Sequence, residues 1–369
     1  MAPALQIDPV LENILDQARW APSGDNTQPW RFEVVDGRHV VVHGFDTRSH
    51  CVYDLDGHPS QLSLGALLES MALAASSHGL RMAARRRADM PETLPTFDVH
   101  FVDSPGLAPD PLAAFLPRRS VQRRRLSTRR LRASEKAALA ASLPPGYQVQ
   151  WFEGWRARLA CARLMFDNAR LRLTMPEAHK VHRDVIEWGA RYSADRIPDQ
   201  ALGVDPMTAR LMRWVMQSWR RVDFFNTWLA GTVAPRLQMD LLPGIYCGAH
   251  FLLLAEAPPR HTDDYVAAGR AVQRFWLTAT QLGLQLQPEL TPLIFSRYVR
   301  ERRAFSRTDG MQELAQDLAA QCQAVLGTAA AGRAVFLGRL GAGPAAQARS
   351  LRRPLQDLLV APAEARPPA

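Results

Sequence analysis

Apolar side chains recur at helical spacing near the start of the chain: Leu11, Ile14, Leu15 and Ala18 share one face. Asp8 is placed to cap this helix and Pro9 suits its first turn, while Trp20 and Pro22 end it. The period changes to two in RFEVVDGRHVVV (31–42), where two β-rich runs flank Asp36-Gly37, a strong hairpin signal. A helix from Ser60 follows, with Leu64, Leu67, Leu68 and Met71 as its stripe and Gly79 as its stop. FDVHFVDS (97–104) reads as a strand and SPGLAPDP (104–111) as a linker. The pattern then starts again: an arginine-rich run (118–132), a helix, a strand at YQVQWF (147–152) and a helix from about Ala157 to Leu173. A Trp- and Arg-rich stretch occupies 176–240, before a buried strand in GIYCGAHFLLLAE (244–256), a helix over 264–284 and a last strand in AVFLGRL (334–340). The Pro-rich end, 361–369, is expected to be disordered.

Two of these helices resemble each other. LGALLESMALAASSHGLRM (64–82) and AGRAVQRFWLTATQLGLQL (268–286) pair Gly65 with Gly269, Leu73 with Leu277, Ala75 with Ala279 and Gly79 with Gly283 at one common offset. Either two Ala/Leu-rich helices coincide, or the chain holds two degenerate copies of one α+β unit packed as an internal pseudo-dimer. The second reading divides it into an N-terminal half, 1–110, and a C-terminal half, 111–360, with 176–240 as an insert. The length of 369 residues accommodates two such halves.

Composition narrows the chemistry. The content is 47% hydrophobic and 22% charged, as in a globular protein with a sizeable core. Net charge is +9, and lysine occurs only at Lys136 and Lys180, so arginine supplies nearly all of it. Arginine grips phosphate in a bidentate way, although GC-rich coding alone would produce the same bias. Cys51, Cys161, Cys247 and Cys322 are widely spaced, which fits reduced thiols and no metal framework. The first residues lack a basic region followed by an apolar core, and no apolar run is long enough to span a bilayer, so a cytoplasmic location is expected. His179 and His182 have helical spacing but no partner ligands, and read as exposed helix histidines; no metal site is expected. MRWVMQSWRRVDFFNTWL (212–229) reads as one buried or interface helix.

The segment APSGDNTQPW (21–30) holds more hydrogen-bonding side chains than a helix-to-strand connection needs. It reads either as a capped turn, with Ser23 or Asp25 satisfying backbone amides, or as a ligand loop. With AAGRAVQRFWLTATQLGLQLQPE (267–289) it resembles the nitroreductase family of FMN-dependent flavoproteins, matching at Ala21, Pro22, Ser23, Asn26, Gln28, Pro29 and Trp30. The resemblance implies an α+β fold of sheets sandwiched by helices, normally a homodimer with FMN at the subunit interface. It further implies that Pro22, Ser23, Gly24 and Asn26 face the flavin, with Gln28 either reaching the ring or tying the loop to its neighbour. Gln287, Pro288 and Glu289 match the family turn whose backbone amide addresses the flavin N5, although Leu290 stands where glycine is usual. The family's phosphate motif is missing from residues 1–20. Arg125, Ser127 and Arg129 carry its spacing instead, with Arg118 and Ser120 as a poorer second choice and Arg352 and Arg353 as further partners. This order of parts resembles a fused pseudo-dimeric branch of the family with one FMN per chain and room for further homodimerisation.

The resemblance therefore implies an NAD(P)H-dependent FMN oxidoreductase acting on a small acceptor such as a nitroaromatic or quinone. The cofactor supplies the chemistry, so no protein residue need be a catalyst. The rival is an FMN-sequestering protein whose 176–240 segment covers the ring and prevents turnover. Trp30 reads as core. The eight arginines of 118–132 stay open between a phosphate pocket, a solvated surface and, distantly, a nucleic-acid patch.

Overall fold

Local signals build the first elements as the pattern predicts. The Asp8 carboxylate accepts from the Val10 and Leu11 amides at 2.9 and 3.1 Å, capping a helix that buries Leu11, Ile14, Leu15 and Ala18. At the hairpin the Arg38 amide donates to the Asp36 carboxylate at 2.7 Å. The computed structural model describes residues 7–229 and 231–361. Beyond Ala361, the expectation for the tail falls outside the described residues.

The main elements of the N-terminal part are α1 (Pro9–Ala18), β1 (Trp30–Asp36), β2 (His39–Gly44), α2 (His58–Ser76), β3 (Leu80–Arg86) and β4 (Thr96–Asp103). Then come α3 (Ala133–Ala141), β5 (Tyr147–Phe152), α4 (Gly154–Leu173), α5 (Pro176–Val185), α6 (Pro206–Val215) and α7 (Trp219–Trp228). The chain continues with β6 (Ala249–Ala255), α8 (Thr262–Gln281), β7 (Leu284–Pro288), α9 (Thr291–Arg300), α10 (Met311–Leu326) and β8 (Ala334–Ala342). The architecture is mixed α+β. Two four-stranded sheets run in the orders β1-β2-β4-β3 and β5-β6-β8-β7, with every pairing antiparallel.

α2 is buried nearly all round, as a helix between two layers must be. It packs along α8 at a point where both helices carry glycine. A Cβ on Gly65 would overlap the Val266 carbonyl oxygen, and one on Gly269 would overlap that of Leu62. Each sheet buries its apolar face on its own side of this helix pair: Trp30, Phe32, Val42 and Phe97 on one, Phe251, Leu253, Leu286 and Phe336 on the other. The chain end then leaves the second sheet. Phe32 and Leu359 form a parallel bridge, and the Val360 amide donates to the Phe32 carbonyl at 2.9 Å.

The 176–240 stretch holds α5, α6, α7 and short strands. The predicted 212–229 helix breaks at Gln217-Ser218, where the Ser218 hydroxyl accepts from the Arg221 amide and starts α7. Trp214, Phe224 and Trp228 are exposed, not buried. The expected exposure of the α5 histidines is also corrected. His179 is buried and bonds the Met216 carbonyl at 3.0 Å, and His182 bonds Tyr53 at 2.8 Å, because α5 turns that face inward. Among the described residues no helix is long and apolar enough to cross a membrane.

Candidate functional site

A cavity of about 390 Å³ opens where the 21–28 loop, α2, α8, the 287–291 turn, the chain end and the insert converge. Its size lies toward the lower end of small-molecule sites, roughly 300–1,000 Å³.

One end is built from arginine. Arg119, Arg349 and Arg352 converge on Trp20. Arg119 donates to its carbonyl at 3.1 Å, Arg352 reaches it at 3.5 Å, and Arg349 stacks 5.1 Å from its ring centroid. Their other partners are neutral: Arg352 bonds the Ala21 carbonyl and the Asn26 side-chain oxygen, and Arg349 the Pro117 carbonyl. The Nε groups of Arg119 and Arg349 are buried with no hydrogen-bond acceptor. Burial lowers the proton affinity of all three, and mutual repulsion adds to it for Arg119 and Arg352, whose guanidinium is pushed down to about 9. Three guanidinium groups, those of Arg119 and Arg352 buried and that of Arg349 half-buried, pair with no carboxylate and form a ready site for an anion. Ser120 and Ser350 line the cavity beside them.

The 21–28 loop supplies an adjoining wall through Pro22, Ser23, Gly24 and Asn26. Asp25, Asn26 and Gln28 have φ of 49°, 63° and 49°, backbone strain that only a surrounding framework maintains. That framework is the insert. Asn26 donates to the Ala194 and Arg196 carbonyls at 3.2 and 3.3 Å. Gln28, buried behind the loop, donates to Ala194 at 3.0 Å and accepts from the Arg353 amide at 2.9 Å. The Ser23 hydroxyl accepts from the Gln28 amide at 3.0 Å, so the capped-turn reading holds for that group. Asn26 thus lines the cavity and clamps the insert at once, while Gln28 ties the loop to its neighbour.

Gln287, Pro288 and Glu289 line the cavity, and the Glu289 amide donates to the Leu337 carbonyl at 2.8 Å. The Glu289 carboxylate bridges His250, at 2.7 Å, and Arg339, at 2.7 Å. The other His250 nitrogen faces the Gly244 carbonyl at 2.8 Å, so both ring nitrogens are donors and the ring is an imidazolium. Burial opposes that charge, but Glu289 outweighs it and raises the His250 proton affinity. Burial likewise works against the Glu289 charge, and His250 and Arg339 still hold it below the usual carboxylate range. The Gln287 side-chain oxygen is buried without a donor.

The insert closes the remaining side. His182, Ile186, Leu202, Met212, Met216 and Asp240 all line the cavity. Burial pushes His182 down to about 3, with Arg172 adding to the effect, so the neutral ring accepts from the Tyr53 hydroxyl. Burial raises Asp240 to about 6, although Arg172, 3.1 Å away, opposes the shift.

Of the first-choice cofactor candidates, five lie outside the cavity. Arg125 stacks on Tyr246 at the surface. The Ser127 hydroxyl accepts from the Arg129 amide, and Arg129 pairs with Glu135 at 2.8 Å, completing the N-terminus of α3. Gln28 sits behind the loop, and Arg353 pairs with Asp195 at 3.2 Å. Of the second choice, Ser120 lines the cavity while Arg118 stacks on Phe115. Of the arginines that do line it, Arg119 and Arg349 each precede a lining serine, Ser120 and Ser350, a shared signal that motif spacing passed over, while Arg123, Arg172, Arg339 and Arg352 do not.

The Nitroreductase family model matches residues 8–56, which span α1, the 21–28 loop and the β1–β2 hairpin. The chain is 25% identical over 308 residues to an uncharacterized protein, MT1398, of Mycobacterium tuberculosis (strain CDC 1551 / Oshkosh). The alignment covers 80% of this chain and 41% of that protein, so the chain spans about two-fifths of the length of this relative.

Proposed function

We propose that the protein binds FMN in this cavity and acts as a flavin-dependent oxidoreductase of nitroreductase type. It would take hydride from NADH or NADPH and pass electrons to a small acceptor such as a nitroaromatic or a quinone. The observation that carries the reading is the carboxylate-free cluster of Arg119, Arg349 and Arg352, in a cavity whose wall includes the loop matched by the family model. The residues fit the cofactor. The unpartnered Nε groups of Arg119 and Arg349, with Ser120 and Ser350, would hold a dianionic phosphate. Val272, Trp276, Pro288 and Phe336 offer apolar surface for a flat ring, and Gln287 carries an unsatisfied acceptor. Bound FMN would supply the hydride-accepting chemistry, so the chain's residues need only bind, orient and exclude water.

The fused-dimer reading belongs to the same proposal. The two sheets share one strand order, and the glycines matched in sequence, Gly65 and Gly269, meet across α2 and α8. On this reading 1–110 and 111–360 are the two copies, with 176–240 inserted as a lid.

A second reading, flavin sequestration without turnover, is favoured by one observation. The insert is tied by Asn26, Gln28 and the parallel pairing of Tyr192–Ser193 with Arg349–Ser350, which restricts the stacking of a second ligand. An anaerobic absorption spectrum of the FMN-loaded protein, before and after NADPH or NADH, separates the two. Bleaching supports the oxidoreductase; a flavin spectrum unchanged by either nucleotide supports sequestration. Failure to take up FMN at all overturns both.

A further inference from the structure

The insert has two faces of different chemistry. On the inner one, Met212 and Met216 line the cavity. On the outer one, apolar side chains stand in water: Met207 is 80% exposed, Trp214 47%, Phe224 53% and Trp228 74%. Met207, Leu211 and Trp214 follow helical spacing along α6, and Phe224 and Trp228 lie one turn apart on α7. Arg221 donates to the Trp214 carbonyl at 3.0 Å and stacks 4.5 Å from its ring, and Phe225 meets that ring edge-on at 5.8 Å, so Trp214 is held in place. Scattered exposed apolar residues need no explanation, but large ones grouped on one helix pair do.

The charge around them identifies what they meet. Residues 205–233 carry four arginines and two aspartates. Asp205 is engaged in capping α6 through the Met207 and Thr208 amides, while Arg210, Arg213 and Arg220 are exposed. A second copy docking face to face would bring these arginines against their own counterparts. An anionic lipid surface satisfies both features, since Trp, Phe and Met enter the headgroup–acyl boundary while arginines stay among the phosphates. We propose that the outer face of α6 and α7 docks on an anionic membrane surface. This inference stands on exposure and charge alone and does not depend on the flavin reading.

Flotation of the full chain with phosphatidylcholine vesicles, with and without phosphatidylglycerol, tests it. Expected is binding to the phosphatidylglycerol vesicles that weakens at 1 M salt and falls at least tenfold in Phe224→Ser/Trp228→Ser. Met207→Ser, at the most exposed position, should weaken it in the same direction. Unchanged far-UV circular dichroism would establish that the variants are folded. Failure to bind phosphatidylglycerol vesicles overturns the proposal, as does equal binding to pure phosphatidylcholine. A concentration-dependent dimer in sedimentation equilibrium that Phe224→Ser/Trp228→Ser dissociates overturns it in favour of a second copy.

Discussion

Arg352 is held by four contacts and still lacks a counter-charge: its partners are the Trp20, Ala21 and Leu351 carbonyls and the Asn26 amide oxygen. Such a side chain is positioned before its anion arrives, so less ordering remains to be done on binding. Removing one charge-assisted contact costs roughly 1.5–3 kcal/mol. Arg352→Ala should therefore weaken FMN binding by about ten- to a hundredfold, read by flavin fluorescence titration. His182 sets a pH dependence of known sign. Its ring is pushed to about 3 from an ordinary 6.5, so the unfolded chain binds the proton more tightly. Stability is lost as pH falls through 6.5 toward 3, by on the order of 2 kcal/mol at pH 5. Urea midpoints at pH 7.5 and pH 5 should separate more for the natural protein than for His182→Gln.

The α2–α8 contact is the element on which the two sheets depend. Backbone approaches backbone there, so the obstacle to any side chain is a carbonyl oxygen that cannot rotate away. Gly65→Ala should cost about 1–3 kcal/mol or more through overpacking, measured by urea denaturation. Gly79→Ala meets open space and strains only a φ of 66°, and should cost about 1 kcal/mol. The two glycines look alike in the sequence and differ in what stands opposite them. The insert shows the same dependence: Asn26 and Gln28 act on it from more than 160 residues away, through bonds to Ala194.

At the scale of the whole molecule, ligand and fold are linked because the cavity walls come from both ends of the chain. Anything that binds the folded state alone stabilises it, by about 2.7 kcal/mol at a hundred times Kd. FMN should raise the thermal midpoint in a concentration-dependent way. Riboflavin, which lacks the phosphate, should raise it far less at equal concentration. Equal shifts would remove the arginine cluster from the site.

The sequence by itself determined what repeats locally. Asp8, Asp36-Gly37 and the stripe of α2 specify a helix start, a hairpin and a helix because the residues that set them lie within a few positions of one another. The family resemblance of the sequence also marked the 21–28 loop, the 287–289 turn and Arg352, each of which contributes to the cavity wall. Only the tertiary structure decided which arginines reach the cavity. Arg129 and Arg119 stand ten positions apart in one run, yet one finds Glu135 and the other finds Trp20. A charge's role depends on the partner it meets after folding, and that partner is set by packing between distant segments, which spacing along one run does not record.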